Sequence, residues 1–236
     1  MIATYDLANN LASFEFFNWL VMVQADGATK ICFDTSNPKI KNNGLNYTEV
    51  MQRYNSILQP GPALAGLDYC VGAFPSSLDA VASKLQPWYE SGRRFQRLKS
   101  VKRPGKAEYT VTIRDNFAGA RLRDSCRDVW ETFAKKIGAI VIDDYYRQPI
   151  HLWDRMAIYA GAKMNFGVCN GPIHLLSLTE YPVCMFVNSQ SARNSQIRIG
   201  MRPDTKYPWM LENQHMVWKE DTRLETLLEV FENAKQ

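Results

Sequence analysis

Short β-prone runs alternate with helix-patterned segments along almost the whole chain, and this rhythm constrains the fold more than any other feature. Ile2–Tyr5, Thr29–Phe33 and Asp68–Ala73 read as strands in the first half. Between them, Ser13 can cap a helix carrying Phe14, Phe17, Leu20 and Val21, and Tyr47–Leu58 reads as a second helix ended by Gln59-Pro-Gly-Pro62. Leu78–Tyr89 reads as a third. The second half is more regular. Strands are expected at Tyr109–Arg114, Ala139–Ile142, Lys163–Val168, Val183–Val187 and Met216–Trp218. Helices are expected at Leu122–Ile137, Ile150–Ala160, Pro172–Leu178 and Thr222–Ala234. Alternating strands and helices imply parallel sheets joined by right-handed crossovers. The expected fold is therefore α/β, with two Rossmann-like parallel-sheet units.

The boundary is marked by a change in composition. Seven basic residues fall between Arg93 and Lys106, with Pro104-Gly105 among them. This stretch reads as the connection between an N-terminal domain, 1–100, and a C-terminal domain, 107–236. It is either a solvated linker or a basic rim facing phosphates or an anionic membrane surface.

The net charge of +4 suits an anionic small-molecule partner and falls short of a dedicated nucleic-acid binder. The five cysteines are odd in number and contain no CxxC clip, so reduced thiols are expected rather than a disulfide framework or zinc knuckle. The most apolar stretch, Leu11–Ala25, is too short for a membrane span and contains Glu15, Asn18 and Gln24. It also lacks the basic start of a signal peptide. The expectation is a cytoplasmic protein with no transmembrane segment and no nucleic-acid partner, peripheral membrane contact being left open.

Ligands of doubly wound sheets bind at the carboxyl ends of strands, and three such places carry candidate chemistry. The first is Phe166-Gly-Val-Cys-Asn170-Gly-Pro-Ile-His-Leu175. Here Pro172 fits the first helical position and Gly171 the cap, so the N–H groups of Ile173, His174 and Leu175 are expected to point outward at an anion. His174 could add a side-chain donor. The plainer reading is a good turn followed by a packing histidine. The second place is Arg114, whose planar fork suits phosphate oxygens, with Arg121 and Arg123 following. The plainer reading is a surface ion pair. The third is Asp143-Asp144, where one carboxylate could accept from ribose hydroxyls; the alternative is a polar loop start. No further His, Asp or Glu joins these aspartates at ligand spacing, so neither a metal site nor a cofactor is expected.

One block of residues resembles a known family. Ile158-Tyr-Ala-Gly-Ala162, Asn165-Phe-Gly-Val168, Asn170-Gly-Pro-Ile-His-Leu175 and Tyr181-Pro-Val-Cys-Met-Phe186 look like the donor-binding block of the ADP-heptose heptosyltransferases and their GT-B relatives. The βα order extends the similarity more weakly over 107–236. Cys169 and Asn170 stand where that family carries Asp and then Thr or Ser, so the sugar is not read from the motif.

The resemblance implies a GT-B-like glycosyltransferase that moves a sugar from a nucleotide-sugar donor to a glycan, lipid-linked or other hydroxyl acceptor without a metal. The 107–236 domain would bind the donor through Asn170, Gly171, Pro172, Ile173, His174, Arg114 and Asp143. The 1–100 domain would serve the acceptor, with Asp6 as general base. Read from the residues alone, the plainer account of Asp6 is a turn or capping aspartate. Two alternatives stay open: a nucleotide-sugar epimerase of the same fold, and a non-catalytic nucleotide- or glycan-binding protein.

Overall fold

The computed structural model describes residues 1–36, 44–72, 84–101, 106–115, 125–145, 148–219 and 222–234. The protein is α/β. By internal contacts the chain divides into two compact units: Met1–Ser100 with Arg147–Trp153, and Val101–Tyr146 with Asp154–Gln236.

The first unit is built on a three-stranded parallel sheet in the order β1-β2-β3, from β1 (Ile2–Asp6), β2 (Lys30–Asp34) and β3 (Asp68–Val71). Its crossovers carry α1 (Phe16–Ala25), then α2 (Tyr47–Arg53), which runs into a π-helical turn at Tyr54–Leu58, then α3 (Gly61–Leu64). The short helix α4 (Leu85–Glu90) follows. Seven of the ten residues of α1 are buried, so this helix is apolar nearly all round, as a core helix must be. Phe16 and Trp19 meet Tyr5 at ring centroid distances of 5.0 and 5.1 Å, seating α1 on β1. Asn46 and Glu49 close a reciprocal capping box at the start of α2. The expected Ser13 cap is instead a turn: its hydroxyl accepts from Glu15 N–H at 3.3 Å, and α1 begins three residues on.

The second unit is a five-stranded, all-parallel sheet in the order β5-β4-β6-β7-β8. Its strands are β4 (Tyr109–Asp115), β5 (Ile140–Tyr145), β6 (Met164–Val168), β7 (Val183–Phe186) and β8 (Gln214–Val217). The intervening helices are α5 (Arg127–Ile137), α6 (Leu152–Ala160), α7 (Gly171–Leu176), α8 (Gln190–Arg198) and α9 (Leu224–Ala234). β6 and β7 are buried at every position, as strands covered on both faces should be.

Alternation along these strands produces two different layers. Val111, Ile113, Phe166, Val168 and Phe186 pack against Trp130 and Phe133 of α5 and Leu227 and Phe231 of α9. The aromatic rings meet edge to face, with Phe133 5.5 Å from Phe166 and Trp130 5.4 Å from Phe186. The opposite layer is stitched by polar groups. Thr110 Oγ1 donates to Asn165 Oδ1 at 2.7 Å, and Thr112 Oγ1 lies 2.8 Å from the Tyr159 hydroxyl. Asn165 Nδ2 donates to the carbonyls of Tyr159 and Pro182. These groups are buried, and their mutual satisfaction is what makes their burial tolerable.

No helix of the described residues is long and apolar enough to cross a membrane. Of the sequence-expected features, Arg121 and Arg123, Lys102-Arg-Pro-Gly105 and residues 78–83 of the third helix lie outside the described residues.

Candidate functional site

The chain order within the second sheet fixes where a ligand crevice should open. β4 is the first strand of this unit yet lies inside the sheet, with β5 on one side and β6 on the other. The β4-to-β5 and β5-to-β6 crossovers therefore run in opposite directions along the sheet, and such a switch point opens a crevice at the strands' carboxyl ends. Arg114 is the penultimate residue of β4, next to its carboxyl end at Asp115, and Cys169-Asn170-Gly171 leads from β6 into α7. The last β4–β6 pair is Thr112↔Gly167, two residues before Arg114 on one strand and two before Cys169 on the other. Arg114 alternates onto the face of Thr112 and is partly buried.

The Asn170 turn is built differently from the sequence expectation. Asn170, not Gly171, is the cap, and Pro172 is the second helical residue. The Asn170 side chain accepts from Ile173 N–H at 3.1 Å, and its carbonyl accepts from His174 N–H at 2.8 Å. Those two donors, expected to face an anion, are thus already satisfied within the turn. The physical reason is that asparagine is a better cap than glycine, because its amide oxygen reaches the third helical N–H. Gly171 contributes the turn's leading N–H, since Pro172 has none. With only six residues in α7, the backbone offers less to an anion than the motif implied, which leaves charged side chains such as Arg114 to attract it.

This cap supports a stability prediction. Asn170→Ala removes the acceptor of the buried Ile173 N–H and should destabilise the protein by about 1–3 kcal/mol, whereas Asn170→Ser or Asn170→Asp should recover most of that. Urea denaturation of the three variants measures it. Equal losses in all three would mean that the cap is not what holds the turn.

His174 faces away from any phosphate role as a cation. Its ring meets Tyr207 edge-on at 4.9 Å and Trp209 at 6.4 Å, and those two rings stack on each other at 4.8 Å. Although the residue retains some exposed surface, its imidazole is desolvated, which lowers its pKa from 6.5 to about 4. It is neutral at physiological pH and can offer one N–H at most.

Around it runs a polar network that sequence reading missed. Gln196 Nε2 donates to Cys169 Sγ at 3.0 Å, and the Tyr207 hydroxyl donates to Gln196 Oε1 at 2.5 Å. Trp209 Nε1 donates to Ser177 Oγ at 3.0 Å, and Ser177 in turn donates to the His174 carbonyl at 2.8 Å. Gln214 Nε2 holds the carbonyls of Leu176, Thr179 and Tyr181, each at 3.0 Å. Together these groups fix both ends of α7. The readable signals were Ser189, which caps α8 by accepting from Ala192 N–H, and the aromatic pair Tyr207-Pro-Trp209 in an otherwise polar loop.

Asp143 lies level with Ile113 and is paired with Arg127, whose Nη2 donates to Oδ1 at 2.7 Å. Arg127 also reaches Glu131 at 2.8 Å, so Asp143 is one member of a half-exposed charge cluster at the start of α5. The side chain of Asp144 lies outside the described residues. Asp6 sits in the first unit, at the end of β1, and organises the turn that follows. Its Oδ1 accepts from Ala8 N–H at 2.8 Å, its Oδ2 accepts from the Asn9 amide, and its carbonyl accepts from Asn9 and Asn10 N–H. Both carboxylate oxygens are therefore engaged by the loop they shape.

No trio of His, Cys, Asp or Glu among the described residues is grouped to hold a metal ion. No family model matches the chain, and neither a characterised protein nor a solved structure matches it.

Proposed function

We propose that this protein binds a nucleoside diphosphate sugar at the carboxyl edge of its five-stranded sheet and transfers the sugar to a hydroxyl acceptor, as a metal-independent, GT-B-like glycosyltransferase. The observation that carries this reading is that the topological switch point, Arg114 near the end of β4 and the Asn170-Gly171-Pro172 turn after β6 fall together at the carboxyl edge of the sheet. The resemblance of residues 158–186 to a donor-binding block points to the same edge.

In this reading Arg114 neutralises the diphosphate as it departs, the work a divalent cation does in other enzymes. Gly171 lets the diphosphate approach the backbone closely. Ile173 and Pro172 contribute shape rather than donors, and His174 holds the turn as a neutral ring. The base that deprotonates the acceptor is proposed to be Asp6.

A non-catalytic nucleotide- or glycan-binding role is the second reading. The engagement of both Asp6 oxygens by its own loop favours it.

Calorimetric titration of nucleoside diphosphates and their sugars, with a chelator present, tests the binding step. Arg114→Ala should weaken affinity about ten- to a hundred-fold, the worth of one charge-assisted hydrogen bond of roughly 1.5–3 kcal/mol. Unchanged affinity in a folded Arg114→Ala protein would remove the ligand from this edge. Product formation from the tightest-binding donor then separates the enzyme from the binding protein.

A further inference from the structure

The three-stranded sheet carries an arrangement that cysteine spacing alone did not disclose. Cys32 on β2 and Cys70 on β3 are direct partners in the parallel register. Neighbouring strands run about 4.8 Å apart, and register partners project from the same face, which puts their Cα atoms inside the roughly 4.4–6.8 Å range that a disulfide spans. Cys32 Sγ donates to the Gly72 carbonyl at 3.0 Å, and the Cys70 thiol is near enough to oppose the ionisation of Cys32. Cys32 is buried, whereas Cys70 lies on the edge strand and is partly exposed.

We infer that Cys32 and Cys70 form a reversible dithiol–disulfide site, oxidised by low-molecular-weight disulfides such as oxidised glutathione.

The roles of the two thiols follow from their surroundings. The partly exposed Cys70 is the one a disulfide can reach. Its thiolate attacks one glutathione sulfur, forming a mixed disulfide and releasing one glutathione thiolate. Cys32 then attacks Cys70 Sγ, loses its proton and expels the second glutathione. In total, two protein S–H groups and one oxidised glutathione become one protein S–S bond and two reduced glutathiones, so electrons and protons balance. Burial, with Cys70 beside it, pushes the Cys32 thiol up to about 12, so Cys32 is held as the protonated thiol and is not the group that makes the first attack. Asp34 on the same face opposes its ionisation and Lys30 favours it. The product would tie the edge strand β3 covalently to β2.

The test treats the intact, folded protein with oxidised glutathione and traps the remaining thiols with a maleimide. The expected product is lighter by two hydrogens, has two fewer alkylatable thiols than the five cysteines of the reduced chain, yields a Cys32–Cys70 linked peptide and reverts with dithiothreitol. Cys32→Ala should instead accumulate a glutathione adduct on Cys70, because the resolving thiol is gone. Cys70→Ser should leave Cys32 reduced under the same treatment, and it provides a second variant at a site where folding is less at risk. Three outcomes would overturn the proposal: a stable glutathione adduct on Cys70 of the native protein, full alkylation of both thiols, or cross-linking through the exposed Cys126 instead.

Discussion

Gly167→Val is expected to destabilise the protein by about 3 kcal/mol or more, with Gly167→Ala costing about 1–3. A Cβ at this position would lie 2.7 Å from Ile173 Cγ1 and 2.9 Å from Cδ1, both on a fully buried side chain, and 3.1 Å from the backbone carbonyl of Thr112 on the neighbouring strand. The isoleucine could shift only into a packed core, and the carbonyl belongs to the sheet, so neither neighbour yields easily. No unusual backbone angle is involved at Gly167; the constraint is close approach alone. The consequence extends beyond stability, because Ile173 is how α7 sits on β6 and Asn170 is where that helix begins. A shift of α7 moves the turn that the proposed ligand would meet. Chemical denaturation of the two variants gives the stability change. Shortening the neighbour in Gly167→Ala/Ile173→Val should recover part of it, since residues in contact couple. A Gly167→Val protein within about 0.5 kcal/mol of wild type would show that the helix is not seated through this contact.

Stability should fall as the pH drops from about 6.5 to about 4, with His174 responsible for up to about 3 kcal/mol of the loss. The sign follows from the direction of the shift. The desolvated ring holds its proton less tightly in the folded protein than in the unfolded chain, so across this window the unfolded chain binds more protons. The contribution of the neutral ring is complete above the ordinary histidine pKa and is lost as pH falls toward about 4. His174→Gln should carry a roughly constant penalty for disturbed packing against Tyr207 and lack this pH dependence. The gap between wild type and His174→Gln should therefore narrow on acidification. Denaturation midpoints for both proteins across the window measure it, and parallel curves would mean that the ring titrates alike in the folded and unfolded chains.

Sequence patterning located β4 and β7 because their runs are hydrophobic or β-branched and bounded by turns, and β6 although Asn165 and Gly167 interrupt its apolar residues. It missed α8, Gln190–Arg198, because only Ala192 and Ile197 break an otherwise polar segment and no apolar stripe appears. The Asn170 turn was recognised as a turn, but the identity of its cap depends on one side chain choosing between solvent and Ile173 N–H, a choice the sequence does not record. The expected place of Arg114 near the end of a strand agrees with β4, which ends one residue later. Ser189 and the Tyr207-Pro-Trp209 pair hint at the elements around His174, but not at their meeting, because Cys169, Gln196 and Tyr207 converge from separate parts of the chain. The pairing of Cys32 with Cys70 escaped for a related reason. Spacing rules look for cysteines close in the chain, whereas a parallel register joins residues separated by a whole crossover.

The residues Arg147–Trp153 belong by contacts to the first compact unit, although the chain on both sides of them belongs to the second. During vectorial synthesis the first unit is thus incomplete until residue 153 has emerged, by which time two strands of the second have already been made. A cut at residue 100 yields a fragment that lacks a piece of its own fold, and transplanting either half into another protein would require re-routing the chain rather than severing it.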